Sequence, residues 1–182
     1  MGLRDRLFGK KTADEAPDPL VDLVLEKLKV GYLVDYDVQT WQVTGYCRYN
    51  FSGKDDSVEE WAITAAGEQR FLELADGAWT LSRKIAIGDI VGDVRQHILD
   101  HEDPPERIVF EGTEFCLDAS YAGQMLPDGT GAGAADVIRW EFLDGTETTF
   151  VGIEQWSETE FAAAAGFVVE DYQFTHILPG SL

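Results

Sequence analysis

The chain has 182 residues, 45% hydrophobic and 12% aromatic, which suits one compact domain or two closely packed halves and excludes an intrinsically disordered protein. Its 34 acidic and 14 basic residues give a net charge of −20, which would repel a phosphate backbone and argues against a nucleic-acid partner. No apolar run approaches the roughly 20 residues of a transmembrane helix. We interpret Cys47 and Cys116, which lack metal-type spacing, as buried or half-buried free thiols.

Residues 1–17 are predicted to form a basic N-terminal peptide and an acidic linker. The peptide lacks the apolar core of a secretory signal, so we expect a cytoplasmic protein. Its apolar and basic groups suit a weak contact with a protein partner or with the inner face of the membrane, and a disordered tail is the alternative. The candidate docking residues are Leu3, Arg4, Arg6, Leu7 and Phe8.

A helix is predicted over residues 19–28. Asp18 is a suitable N-cap, and Pro19 fits a first helical position because that position needs no N–H donor. The apolar residues that follow fall on one helical stripe. They are Leu20, Val21, Val24, Leu25 and Leu28.

From Val30 onward, a period of two in the apolar residues indicates β-strands. A turn near residues 37–40, a loop at 50–57 and a connection at 65–69 divide the stretch into a β-meander. The same order begins again after residue 104, with turns at 112 and 144–145 and a loop at 127–136. We therefore predict a first β half at residues 18–103, which includes the leading helix, and a second at 104–182.

Large apolar residues occur in matching order in the two halves. The matched pairs are Trp41–Phe115, Val43–Leu117, Trp61–Trp140, Phe71–Phe150, Leu74–Ile153 and Trp79–Trp156. One meander alone would leave an apolar face in water, so a second one would supply the missing layer. We predict a mainly β fold with two related meander halves packed as a sandwich or as paired small barrels. The matching also indicates that the tryptophans belong to the core and do not stack on a sugar or base.

A short second helix is predicted after Trp156. Ser157 and Glu160 have the spacing of a capping box, and Gly166 could end the helix in a left-handed conformation. Residues 167–178 would then form a closing strand pair.

The motifs of the chain resemble those of the bacterial and archaeal domain-of-unknown-function family 4178, over roughly residues 30–180. The matching stretches are G-x-x-V-x-Y with W-x-V-x-G at 31–45, EEWAIT and GEQRFLEL within 59–74, PPERIVFEGTEF at 104–115, IRWEF at 138–142, and IEQW, GFVV and ILPG within 153–180. The resemblance implies no catalytic residues. It implies a setting beside polyamine-synthase-like proteins, small membrane proteins and membrane-stress proteins.

His97 and His101 are the candidate metal ligands of the sequence. Their i, i+4 spacing would place both imidazoles on one face of a helix, although a zinc site needs a third ligand. His176 could be that ligand, and the alternative interpretation is a polar helix end. The G-x-G-x-x-A pattern at 129–134 resembles a dinucleotide loop, but a strand follows it where a helix would be needed, so we predict a hairpin loop.

The sequence shows no nucleophile elbow, no Ser-x-x-Lys and no Cys–His motif, and no cofactor is predicted. With the uneven charge and the resemblance, this favours a non-enzymatic cytoplasmic accessory or adaptor protein. It would have a protein partner and act near the inner membrane face, in a membrane-stress or polyamine-linked system. The alternative is a small-ligand or metal-binding domain with hydrolytic activity.

Overall fold

The computed structural model describes residues 23–53 and 57–180, and the strands in these residues form one antiparallel sheet. The strands are β1 (Leu33–Tyr36), β2 (Gln39–Phe51), β3 (Val58–Ala65), β4 (Glu68–Ala75), β5 (Ala78–Ile85), β6 (Arg107–Phe110), β7 (Thr113–Pro127), β8 (Ala135–Asp144), β9 (Thr149–Gln155), β10 (Phe161–Val169) and β11 (Thr175–Leu178). The helix α1 spans Val94–His101, and 3-10 turns occupy Leu25–Lys27, Ile87–Asp89 and Asp171–Gln173.

The sheet closes into an eight-stranded barrel. Its strand order is β11-β1-β2-β3-β4-β5-β10-β9-β8-β7-β6, and β2 also pairs with β7. That pairing runs from Cys47–Pro127 to Phe51–Gly123 and joins β2–β5 and β7–β10 into a ring. The predicted arrangement of two halves as a sandwich or as paired small barrels is therefore wrong, although the fold is mainly β as predicted.

Closure follows from the unequal lengths of the hairpin strands. β1 and β6 have 4 residues each, whereas β2 has 13 and β7 has 15. β1 covers only residues 39–42 of β2, and β6 covers only residues 113–116 of β7. The uncovered part of each long edge pairs with the other, because an exposed strand edge would leave its backbone groups unpaired.

Two apolar clusters lie on the opposite face of the barrel strands from the barrel interior. In the first, Trp61 and Leu72 pack with Val34 of β1 and with the segment before it. In the second, Trp140 and Ile153 pack with Ile98 of α1 and with β6. Four of the tryptophans are buried as predicted, namely Trp41, Trp61, Trp79 and Trp140. The strands outside the ring and α1 therefore cover its apolar outer surface.

The helix predicted over residues 19–28 is wrong in its described part, and residues 19–22 lie outside the described residues. Val24 has extended φ and ψ angles of −107° and 155°, and only a 3-10 turn follows. Leu25 and Leu28 are buried in the first apolar cluster. The Leu28 carbonyl accepts a hydrogen bond from the Trp61 indole at 3.0 Å. Docking against the barrel therefore decides the backbone conformation of this segment.

The helix predicted after Trp156 is also wrong, because Phe161–Val169 form strand β10. β10 pairs with both β5 and β9, so its backbone is hydrogen-bonded along two edges. Gly166 is a strand residue that pairs with Ser82 and Phe150, and it does not end a helix. The predicted closing pair is replaced by β11, which pairs with β1.

Candidate ligand-binding site in the barrel

The barrel interior carries charged side chains on strands whose opposite faces are apolar. Successive residues of a strand point to opposite faces, so Glu60 faces inward beside the outward Trp61, and Arg139 does so beside Trp140. Glu73 of β4 contacts Arg139 across the ring. The interior of this barrel therefore holds a charged cluster beside a small apolar cluster, and the two larger apolar clusters lie outside it.

Arg139 lies at the centre of the interior, with its side chain only 7% exposed. Its Nη1 lies 2.7 Å from Glu73 Oε2, and its Nε and Nη2 donate to Glu154 Oε1 at 3.0 and 2.8 Å. The guanidinium lies 4.2 Å from the centroid of the Tyr49 ring. Burial alone would lower the pKa of Arg139, but the surrounding carboxylates outweigh that effect and raise it, so the guanidinium is fixed as a cation.

Glu60 makes no direct contact with a cationic group among the described residues. Its Oε1 accepts only a long bond, 3.5 Å, from the Cys47 thiol. Burial, followed by repulsion from Glu73, raises the pKa of Glu60 to about 7. We call Arg139, Glu60, Glu73 and Glu154 the Arg139 cluster. The Arg139 cluster contains one cation and three carboxylates. The negative charge of one carboxylate is therefore little offset by the cation.

A cavity of about 300 Å³, partly open to solvent, adjoins the Arg139 cluster inside the barrel. This volume lies at the lower end of the range for small-molecule sites, roughly 300–1,000 Å³. Small residues create the space on one wall, since a Cβ added at Gly152 would meet no atom within 4 Å. Ala162 and Ala164 of the neighbouring strand line the same wall. We call this space the barrel cavity.

The walls of the barrel cavity combine aromatic rings with an excess of carboxylates. The aromatic residues are Tyr49, Phe71, Phe150, Trp156 and Phe161. The charged residues are Glu60, Glu73, Glu141, Glu154, Glu160, Lys84 and Arg139. Lys84 Nζ already lies 5.4 Å from the Phe71 ring. With every carboxylate ionised, the lining would carry a net charge of −3.

Nucleophilic catalysis has little support in the barrel cavity. Burial raises the pKa of the Cys47 thiol, and the nearby Glu60 carboxylate raises it further, so thiolate is disfavoured. Burial likewise raises the pKa of the Tyr49 hydroxyl. The arrangement is suited to binding by charge and by ring faces more than to covalent chemistry.

The structure places the candidate histidines away from the barrel cavity. His97 and His101 lie on α1 with their rings stacked at 4.3 Å, and His101 Nδ1 is 2.9 Å from the His97 carbonyl. His176 instead contacts Asp35, at 3.1 Å. Within residues 23–53 and 57–180, no group of three His, Cys, Asp or Glu side chains is arranged to hold a metal ion. Metal binding by the two histidines stays a prediction.

The other predicted sites have mixed outcomes. Leu3, Arg4, Arg6, Leu7 and Phe8 lie outside the described residues. The pattern at 129–134 lies in the β7–β8 hairpin connection, as predicted. Cys47 is half-buried as predicted, whereas Cys116 is exposed, against the prediction. Trp156 is only half-buried and lines the barrel cavity, unlike the other four tryptophans.

The sequence analysis did not identify the Arg139 cluster. In IRWEF charged residues alternate with large apolar ones, and in EEWAIT Glu60 precedes Trp61, which is also the pattern of a strand with one face in water. The available signal was Arg139 itself, a basic residue inside a strand of a very acidic chain. Barrel closure is the additional information that brings β4 opposite β8.

Fold and site together define a closed antiparallel β-barrel with a charged interior cavity. A family model described as a domain of unknown function, DUF4178, matches residues 29–171, and the chain belongs to that family, which confirms the resemblance. An uncharacterized protein of Aquifex aeolicus (strain VF5) is 27% identical over 182 residues, with 98% of this chain and 99% of the relative covered. No solved structure matches the chain. In the part of the chain that the structure describes, helices lack the length and apolar character for a bilayer crossing.

Proposed function

We propose that the protein is a non-enzymatic accessory protein that binds a small molecule in the barrel cavity. The observation that carries this proposal is the cavity of about 300 Å³ beside the buried Arg139 cluster. Ligand sites are typically concave, with apolar walls and a few fixed polar groups, and the barrel cavity has both. The rigid closed ring would hold those groups in place before a ligand arrives.

Filling the barrel cavity tests the proposal. Gly152→Leu adds a side chain where a Cβ meets no atom, so the fold should tolerate it while the space for a ligand is lost. Gly145→Leu makes the same change in the exposed β8–β9 turn, where a Cβ also meets no atom. The full chain and both variants would be titrated by calorimetry with small alkylammonium ions, carboxylates and neutral diols.

The expected result is saturable binding of at least one of these classes by the native chain and by Gly145→Leu. Gly152→Leu should lose at least tenfold in affinity because its side chain occupies the site. Equal binding by Gly152→Leu, or no saturable binding by any of the three classes, would overturn the proposal.

A second candidate is an adaptor role at the inner membrane face, in a membrane-stress or polyamine-linked system. It is supported by the uneven charge, because residues 1–11 are basic within a chain of net charge −20. Under this proposal Arg4 and Arg6 draw the protein to anionic lipid, and the apolar residues beside them contact the membrane surface.

Vesicle sedimentation tests the second candidate. The full chain should sediment with phosphatidylglycerol vesicles and not with neutral phosphatidylcholine vesicles. Replacing Arg4 and Arg6 by Gln should abolish sedimentation, whereas replacing the exposed Arg83 and Arg107 should not. Identical behaviour of the two double variants would contradict it.

A further inference from the structure

We infer that the ligand of the barrel cavity is a small organic cation, bound through an ammonium group against Glu60. This inference rests on the proposed function, since it names the ligand class of that same cavity. It is argued from the charges in the cavity, the bonding of Glu60 and the aromatic walls.

The charge balance of the barrel cavity favours a positive ligand. Arg139 already donates to Glu73 at 2.7 Å and to Glu154 at 2.8 and 3.0 Å, so two carboxylates offset its charge before an anionic ligand arrives. Glu141 lies 3.9 Å from the same guanidinium. An added anion would meet the remaining carboxylates, whereas an added cation would reduce their mutual repulsion.

Glu60 provides a specific contact for that cation. Its carboxylate has one long bond from a thiol and no ion pair among the described residues. A half-buried carboxylate without a cation loses hydration that nothing replaces, and an ammonium group would supply up to three donors to it. The Glu60 oxygens can therefore accept hydrogen bonds from a ligand, whereas Glu73 and Glu154 already accept hydrogen bonds from Arg139.

The aromatic walls fit a cation as well. Cations bind over ring faces within about 6 Å of the centroid, and the barrel already uses this contact for Arg139 over Tyr49 and Lys84 over Phe71. Trp156 also lines the barrel cavity and has its ring 6.5 Å from that of Tyr49. Divalent metal ions fit less well, since the described carboxylates form no group arranged to hold one.

Protons and the ligand should compete for Glu60. The groups that face it are Cys47 and Tyr49 from β2, Glu73 from β4, Arg139 from β8 and Glu154 from β9. An alkylammonium ion keeps its own charge between pH 6 and 8, because its pKa resembles the 10.4 of lysine. With a free pKa of about 7 at Glu60, affinity should rise about tenfold from pH 6 to pH 8.

The experiment compares 1,4-diaminobutane, its neutral analogue 1,4-butanediol and the dianion succinate by calorimetry on the full chain. We expect the diamine to bind at least tenfold more tightly than the diol, and succinate not to bind. Glu60→Gln should weaken diamine binding about tenfold at pH 8 and remove its pH dependence. Glu114→Gln, the same change at an exposed strand position, should change neither.

Gly152→Leu separates the possible failures, because it keeps every charge of the chain while filling the barrel cavity. Diamine binding that survives Gly152→Leu would be non-specific attraction to the acidic surface and would overturn the inference. Binding of the diol or succinate that Gly152→Leu abolishes would overturn the cation assignment and leave the proposed function standing. No binding of any probe would overturn both.

Discussion

At the scale of single residues, the barrel interior separates two kinds of carboxylate. Glu73 and Glu154 are bound to the Arg139 guanidinium, whereas Glu60 accepts only from the Cys47 thiol within the described part of the chain. Removing Arg139 would leave both carboxylates without their cation, and breaking a buried ion pair in this way costs several kcal/mol. Glu60 is instead half-protonated near neutral pH, since its pKa is about 7. A small change in pH near neutrality therefore changes the protonation of the barrel interior at Glu60.

The raised pKa of Glu60 predicts a pH-dependent cost to stability. Between pH 4.5 and 7 the carboxyl ionises in the unfolded chain before it does so in the folded chain, so its contribution declines with rising pH. Glu60→Gln should therefore be more stable than the native chain by about 1–3 kcal/mol at pH 8, and by less than about 0.5 kcal/mol at pH 4.5. Urea denaturation of both proteins at the two pH values measures this difference. A constant difference across pH would contradict the assignment.

At the scale of elements, β10 shows how a helix-favouring sequence becomes a strand. Ala162 and Ala164 line the barrel cavity, while Ala163 and Ala165 pack with the second apolar cluster. Alanine favours a helix in isolation, but β10 lies between β5 and β9 and pairs with both. Hydrogen bonding along both edges then outweighs the intrinsic preference.

Gly166 and Gly152 should respond oppositely to alanine. A Cβ at Gly166 would lie 2.7 Å from the Leu81 carbonyl and from the Phe150 ring, whereas at Gly152 it would meet no atom. Gly166→Ala should lower the free energy of unfolding by about 1–3 kcal/mol, as overpacking does. Gly152→Ala should be neutral or stabilising by up to about 1 kcal/mol, because alanine restricts the unfolded chain. Urea denaturation checks both, and similar losses in the two variants would argue against the packing described.

Elements determined by local pattern were more predictable than those determined by contacts distant in sequence. Strand alternation and the family motifs predicted a mainly β chain, and four buried tryptophans followed from their place on strands. The 19–28 helix failed because Leu25 and Leu28 pack against the barrel, with the Leu28 carbonyl bonded to Trp61. Arg139 could not be placed, since its partner Glu73 is 66 residues away in sequence. The role of Arg139 depends on closure of the barrel, which no local sequence pattern indicates.

At the scale of the whole molecule, the β2–β7 pairing converts two meanders into one ring. Each meander alone would have a long strand edge, and the charged residues of β4 and β8 would face water instead of each other. Closure brings Glu73 and Arg139 together and encloses the barrel cavity. The proposed binding function therefore depends on the pairing of β2 with β7, which joins residues 47–51 to residues 123–127.

Gly123 is the residue at which the pairing of β2 with β7 can be tested. It pairs with Phe51, and a Cβ there would overlap the Asn50 carbonyl oxygen and lie 2.8 Å from the Phe51 Cα. Because backbone atoms cannot move aside as a flexible side chain can, Gly123→Ala should force β2 and β7 apart. We expect a loss of about 3 kcal/mol or more in the free energy of unfolding, at the upper end for single substitutions.

Hydrogen exchange shows whether β2 and β7 separate from each other or whether the whole fold is destabilised. In Gly123→Ala the amides of residues 47–51 and 123–126 should exchange much faster, while those in the β3–β4 hairpin keep more of their protection. Gly131→Ala is the matched control, because Gly131 lies in the β7–β8 connection and its Cβ would meet no atom. Unchanged exchange where β2 pairs with β7 in Gly123→Ala would show that this pairing does not hold the barrel closed.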